Sequence, residues 1–217
     1  MSYFPTFLDI RDRKCVVVGG GNVAAQKIRA LLRYNASVCV VSEQLRPALR
    51  KLVKVGAIAW VDRNFKAGDL RAAFLVIAAT NDAAINQKVW QEACKRRVWA
   101  NVVDDPAHCH FIVPSIYRRG RLQIAVSTGG ASPAMAKIIR KTLGETFGPE
   151  VALALDWMGM ARKEVSRCVP TFGRRKALFS ALAATDIPGR IKKVGRVAAK
   201  RAFEQKLQSL LKRWGKN

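Results

Sequence analysis

The sequence predicts an α/β protein: a doubly wound parallel sheet, then a small α+β segment, then a C-terminal helical domain. Three observations predict it. The N-terminal half alternates short β-branched apolar runs with stretches of helical spacing. Two compact apolar runs then flank Arg118-Arg119-Gly120-Arg121, as in a hairpin. From about Pro149 onwards only helical periodicity remains. These changes set boundaries of 1–111, 112–146 and 147–217.

Lys14-Cys15-Val16-Val17-Val18 is the kind of run a strand buried on both faces carries, and it stops at Gly19-Gly20-Gly21. Val23, Ile28, Leu31 and Leu32 then predict a helix over 22–34. A second strand over 38–41, a helix over 45–54 and a strand over 58–61 follow. Phe74 to Ala78 reads as a fourth strand. Ile85, Val89 and Ala93 recur every four residues and predict a helix over 83–96; 98–103 reads as a fifth strand. Such βαβ units place helices on both faces of a parallel sheet. Beyond Asp104, strands are predicted over 111–116 and 122–126. Ser132 and Pro133 suit the N-cap and first position of a helix carrying Met135, Ile138, Ile139 and Leu143. In the last helix Phe203, Leu207, Leu210, Leu211 and Trp214 share one face.

Composition excludes some classes. No uncharged apolar run reaches the roughly 18 residues of a membrane span, and the first residues do not read as a secretory signal. Five scattered cysteines without a Cys-x-x-Cys point to reduced thiols and a cytoplasmic setting. Lys and Arg total 39 against 15 Asp and Glu, a formal +24. That field suits a polyanion: nucleic acid, an anionic surface, or a small ligand dense in carboxylates or phosphates. Residues 157–217 hold 16 basic and 3 acidic residues, about threefold the net charge density of the rest. They show no recognisable DNA-binding motif and few interleaved aromatics, so neither nucleic acid nor a membrane is the expected partner.

Gly19-x-Gly21-x-x-Ala24 follows a predicted strand and opens a predicted helix, the context a dinucleotide fingerprint needs. Gly19 allows the tight turn. Gly21 lets the backbone approach a pyrophosphate at the helix N-terminus. Ala24 permits close helix–strand packing. The ribose-binding acid is expected roughly 20 residues on. Glu43 stands there, between Ser42 and Gln44, and a carboxylate favours NAD over NADP; nearby Arg46 tempers that preference. Thr80 and Asn81 end the fourth strand and could line the cofactor cleft or cap the next helix.

Asn101-Val102-Val103-Asp104-Asp105-Pro106 places two carboxylates at the carboxyl end of the fifth strand, the edge that faces ligands in open α/β sheets. Asp104 is placed for proton abstraction coupled to hydride transfer, or for a turn. Asp105, before Pro106, reads as the turn. His108 and His110 flank Cys109 and, with Asp104, have ligand types suited to ferrous iron.

Gly19-Gly20-Gly21-Asn22-Val23-Ala24, Ala78-Ala79-Thr80-Asn81-Asp82, Asn101-Val102-Val103-Asp104, Phe111-x-x-Pro114-Ser115 and Ser127-x-Gly129-Gly130-x-Ser132-Pro133 occur in this order. Together they resemble the precorrin-2 dehydrogenase/sirohydrochlorin ferrochelatase family, which also forms the N-terminal module of siroheme synthases. The resemblance is close to about residue 145 and weaker beyond. It implies a Rossmann-like domain and NAD-dependent oxidation of precorrin-2 to sirohydrochlorin. In many members ferrous iron is then inserted to give sirohaem. It implies a homodimer formed through roughly 112–146, and a catalytic role for Asp104. Cofactor contacts carry over to Asn22, Val23, Glu43 and Gln44, beside Gly19, Gly21 and Thr80 of the motifs. The stretch Ser127, Thr128, Gly129 and Ser132, ahead of a helix N-terminus, offers donors to the carboxylates of such a substrate. Lys137, Arg140, Lys141 and Arg174-Arg175-Lys176 could pair with others or form solvated faces. In some relatives a serine that can be phosphorylated stands where this chain has Thr128. A nucleotide-sensing Rossmann module without catalysis is the alternative; it leaves Asp104 and the Ser127–Ser132 loop without a role.

Overall fold

The computed structural model describes residues 3–214, and the chain divides after Val113 into two compact units. The first unit holds five parallel strands, β1 (Lys14–Val18), β2 (Ser37–Val41), β3 (Ala59–Val61), β4 (Leu75–Ala78) and β5 (Trp99–Val102). Their order is β3-β2-β1-β4-β5. Helices α1 (Asn22–Leu32), α2 (Pro47–Lys54) and α3 (Ala83–Arg96) connect them, with one 3-10 turn over Ala67–Leu70.

Strand alternation builds two cores. In β1, Cys15 and Val17 join Ile28, Leu31, Val40 and Leu49 on one face. Val16 and Val18 join Val76, Val89, Ala93 and Val102 on the other. Each fully buried Val, Leu or Ile contributes roughly 1.5–3 kcal/mol of transfer free energy. The predicted sheet, with helices on both faces, is the observed one. Small differences lie at element ends. Helix α2 starts at Pro47 because proline suits the first helical position, and buried Leu45 precedes it.

An ion pair organises the segment after β3. The Arg63 guanidinium donates to both Asp69 oxygens at 2.9 and 2.7 Å, and the Lys66 backbone N–H donates to the same carboxylate at 2.8 Å. Burial alone would raise the Asp69 pKa, but these donors hold it below its usual 3.8. A depressed folded pKa means the stabilisation is complete above about pH 4 and is lost as pH falls through the folded value. Asp69→Asn is therefore expected to cost about 1–3 kcal/mol at neutral pH. Its deficit should shrink in acid, read by urea denaturation at a series of pH values.

The second unit begins with a hairpin, β6 (Ser115–Arg119) and β7 (Leu122–Val126), followed by α4 (Pro133–Thr146). The strand expected over 111–116 is corrected here. Cys109 bridges Asn101, and the Phe111 carbonyl accepts from Asn101 Nδ2 at 3.0 Å, so this stretch lies against the edge of β5. Pro114 has no N–H to give a ladder. The turn shrinks to Gly120-Arg121, with Gly120 at φ 55, and β6 extends to Arg119. Three helices complete the unit: α5 (Pro149–Cys168), α6 (Phe172–Ala183) and α7 (Ile187–Trp214), the last kinked at Gly195 (φ 78). Trp157, Val165, Leu178, Leu182, Phe203, Leu207 and Leu210 form their shared core, as the predicted face of the last helix requires. No described helix is long and apolar enough to cross a membrane.

Candidate functional site

The strand order reverses between β1 and β4, and there the carboxyl ends of the strands open a cleft of about 640 Å³. Gly19, Gly20 and Gly21 form one wall. Ser42, Glu43, Gln44 and Arg46 follow β2 into it; Asn64 and Phe65 follow β3, and Thr80 and Asn81 follow β4. Of the expected cofactor residues, Gly19, Gly21, Glu43, Gln44 and Thr80 line the cleft. Asn22 and Val23 open α1 beside it and are exposed.

The three glycines differ in what demands them. Gly19 sits at φ 115, and a Cβ there would lie 2.4 Å from the Ala79 carbonyl oxygen. A Cβ on Gly20 would lie 1.8 Å from the Gln44 carbonyl oxygen. At Gly21 a Cβ would meet nothing within 4 Å, so it would occupy the open space of the cleft. Gly21 is also the N-cap of α1, with no side-chain cap and no acidic residue in the first turn. The first N–H groups of α1 have no intrahelical acceptor. Free donors, a favourable dipole end and room over Gly21 fit a pyrophosphate. Ala24 is fully buried against the sheet. The role of Gly20 escaped the sequence reading, because a contact with Gln44 is a tertiary fact.

Glu43 stands exposed at the rim. Its Oε1 accepts from Asn64 Nδ2 at 2.7 Å. The Trp60 indole N–H donates to the Ser42 carbonyl at 2.8 Å and ties the end of β2 to β3. The Arg46 backbone N–H donates to the Gly20 carbonyl at 3.1 Å, and its side chain lines the same cleft. Thr80 both lines the cleft and supports the next helix: its hydroxyl accepts from the Asp82 N–H at 2.9 Å. The N-cap itself is Asp82, accepting from Ala84 and Ile85.

Asp104 lies two residues past β5, on the same sheet edge. Val103 N–H still donates to the Ala78 carbonyl, and Asp104 then enters the left-handed region at φ 61. For a non-glycine residue that conformation is sparsely populated, and such residues cluster at functional sites. The Asp104 carboxylate is exposed and makes no hydrogen bond or ion pair among the described residues. Asp105 differs. It precedes the short 3-10 turn Pro106–His108, and its side chain, instead of capping that turn, meets His108 Nδ1 at 2.6 Å.

His108 ends the 3-10 turn over Pro106–His108, and His110 follows the bridge of Cys109 to Asn101. Both rings meet Trp90, His108 edge-on with centroids 5.3 Å apart and His110 tilted at 4.6 Å. His110 Nδ1 accepts from the Ala100 N–H at 3.1 Å, and its Nε2 lies 3.9 Å from Cys94 Sγ. The pair thus covers the edge strand β5, and no group of three or more His, Cys, Asp or Glu gathers among the described residues.

In the second unit, Ser132 caps α4 by accepting from the Met135 N–H at 3.1 Å, with Pro133 in the first turn as expected. The Thr128 hydroxyl donates to the Ser132 carbonyl and accepts from the Ser132 N–H, both at 3.1 Å. Ser127 Oγ accepts from the Gly129 N–H at 3.2 Å. The loop is therefore largely self-satisfied and offers fewer free donors than its sequence suggested. Pro133 has none and that of Met135 is used, leaving the Ala134 N–H in the first turn.

Fold and cleft together define a Rossmann-like dinucleotide-binding protein. The NAD_binding_7 family model, described as NAD(P)-binding, matches residues 6–115, and a model described as sirohaem biosynthesis protein central matches residues 119–146. The chain belongs to this NAD(P)-binding family. It is 40% identical over 217 residues to the siroheme synthase of Sodalis glossinidius, covering 96% of this chain and 44% of the relative. Siroheme synthase 1 of Serratia proteamaculans is 41% identical over 179 residues, 82% of this chain and 38% of the relative. The chain thus spans about two fifths of the length of these curated relatives. Among solved structures, "SirC, precorrin-2 dehydrogenase" superposes with a TM-score of 0.77 at 24% identity, covering 95% of this chain and 100% of that one. That likeness establishes the shared fold.

Proposed function

We propose that the chain oxidises precorrin-2 to sirohydrochlorin with NAD, in sirohaem or related tetrapyrrole biosynthesis, as a cytoplasmic homodimer. One observation carries the reading. A glycine turn built for a pyrophosphate and the unpartnered, left-handed Asp104 share the carboxyl edge of one sheet. The names of the siroheme synthase relatives and of the SirC structure support the substrate.

When bound, the nicotinamide supplies the hydride acceptor. The first-turn N–H groups of α1 would hold the pyrophosphate, and Glu43 would accept from the ribose hydroxyls. The Asp104 carboxylate would accept the proton that precorrin-2 loses alongside its hydride, and would return it to water. The substrate gains one double bond, and NADH and a proton account for the rest. Ferrous iron would enter as substrate of a second step, displacing the two inner N–H protons of sirohydrochlorin, which Asp104 is a carboxylate able to accept and pass to water.

Within the second unit, the free Ala134 N–H and the exposed Lys137 and Lys141 are suited to carboxylates. The dimer reading is supported by α4, whose Met135, Ile138 and Ile139 are 49%, 56% and 39% exposed. Ile138→Asp is expected to shift the mass in sedimentation equilibrium from two chains to one. The cytoplasmic reading is supported by five cysteines that are all free.

The test of the activity is an anaerobic incubation of the purified chain with precorrin-2. Sirohydrochlorin is expected only when NAD is added. Binding of NAD without product would return the nucleotide-sensing alternative. Adding ferrous iron to the same incubation tests the second step, with the sirohaem spectrum as its readout.

A further inference from the structure

We propose that Asn64 is the positioning residue that sets dinucleotide selectivity, holding the Glu43 carboxylate against an unphosphorylated ribose. The inference rests on the cofactor reading above and adds a residue to it. Glu43 is exposed and comes from the loop after β2, so its own backbone does little to fix its carboxylate. Asn64 supplies the missing constraint through the 2.7 Å bond from Nδ2 to Oε1. Oε2 has no partner among the described residues and is left to accept from ribose.

Asn64 is itself held. Arg63 Nη1 donates to the Asn64 carbonyl at 2.9 Å while the same guanidinium grips Asp69. The Arg63 N–H donates to the Val61 carbonyl at 3.0 Å, and the Ser42 N–H donates to that same carbonyl at 3.2 Å. A chain of contacts, Asp69–Arg63–Asn64–Glu43, therefore runs from the 3-10 turn, where Leu70 is buried, to the rim of the cleft.

Selectivity follows from what else is at that rim. Arg46 lines the same cleft and could pair with a ribose phosphate. A fixed Glu43 carboxylate beside it repels that phosphate and accepts from a hydroxyl. With Asn64 gone, Glu43 is free to swing into solvent or toward Arg46, and both effects fade together.

The experiment is calorimetric titration of the full chain with NAD and with NADP. Asn64→Ala is expected to weaken NAD about tenfold, the scale of one hydrogen bond to a charged group. NADP should stay within about twofold or tighten. In a Glu43→Ala background the Asn64→Ala effect on NAD should vanish. Equal weakening of both dinucleotides, or an unchanged effect in the Glu43→Ala background, would overturn the proposal. If Asn64→Ala does not fold, Asn64→Asp serves instead: a like charge beside Glu43 should weaken NAD, and an unaltered NAD affinity would overturn the proposal. A wild-type chain that binds neither dinucleotide would instead refute the cofactor reading itself.

Discussion

Asp104→Asn is expected to lower turnover of precorrin-2 by about 10²–10⁴-fold, the usual contribution of one positioned proton acceptor. Affinity for NAD should change little, because Asp104 does not line the dinucleotide cleft. Asparagine is the informative substitution. It keeps the side-chain shape and is among the few residues that tolerate the left-handed conformation seen at φ 61. Alanine at that position adds a conformational cost of roughly 1–2 kcal/mol, which would mix strain with lost chemistry. A fully active Asp104→Asn chain would remove Asp104 from the mechanism, whatever its place on the sheet edge.

The second large effect separates two adjacent glycines. Gly20→Ala is expected to cost about 3 kcal/mol or more, since its Cβ would collide with the Gln44 backbone carbonyl and neither partner is a flexible side chain. Loss of cofactor affinity would follow from loss of the fold. Gly21→Ala is expected to cost about 1 kcal/mol or less, because its Cβ enters open space and its φ of -82 suits any residue. Its affinity for NAD should nonetheless fall by about tenfold or more, since the added methyl stands where the pyrophosphate would approach. Thermal denaturation and NAD titration of both variants check the pair. If Gly21→Ala bound NAD normally, the phosphate would not sit over that turn.

Much of this architecture was legible because burial on both faces writes itself into sequence. β1, β2 and β4 are continuous apolar runs, and the glycines after β1 punctuate them. Glu43 and Thr80 could be placed because sheet edges in open α/β folds have a fixed role. What escaped was tertiary. Asn64 sits in an irregular stretch after a three-residue strand, with no period to mark it; only its place past the carboxyl end of β3 could have drawn notice. The first strand of the hairpin was read four residues early, because Phe111 looks like a strand residue and its actual partner, Asn101, is invisible to local pattern. His108 and His110 suggested ligands by type, yet their rings pack on Trp90, eighteen and twenty residues earlier in the chain.

The formal charge of +24 suits the anionic cofactor and substrate of the proposed function. The excess on α6 and α7 has no structural explanation.

The central claim is that one sheet edge couples a bound dinucleotide to removal of hydrogen from a tetrapyrrole. The most direct measurement is the anaerobic stoichiometry of NADH to sirohydrochlorin when precorrin-2 and NAD are mixed with the purified chain. One NADH is expected for each sirohydrochlorin, with both absent in Asp104→Asn on the same timescale. NAD that binds yet is never reduced, or sirohydrochlorin that forms without NADH, would contradict it.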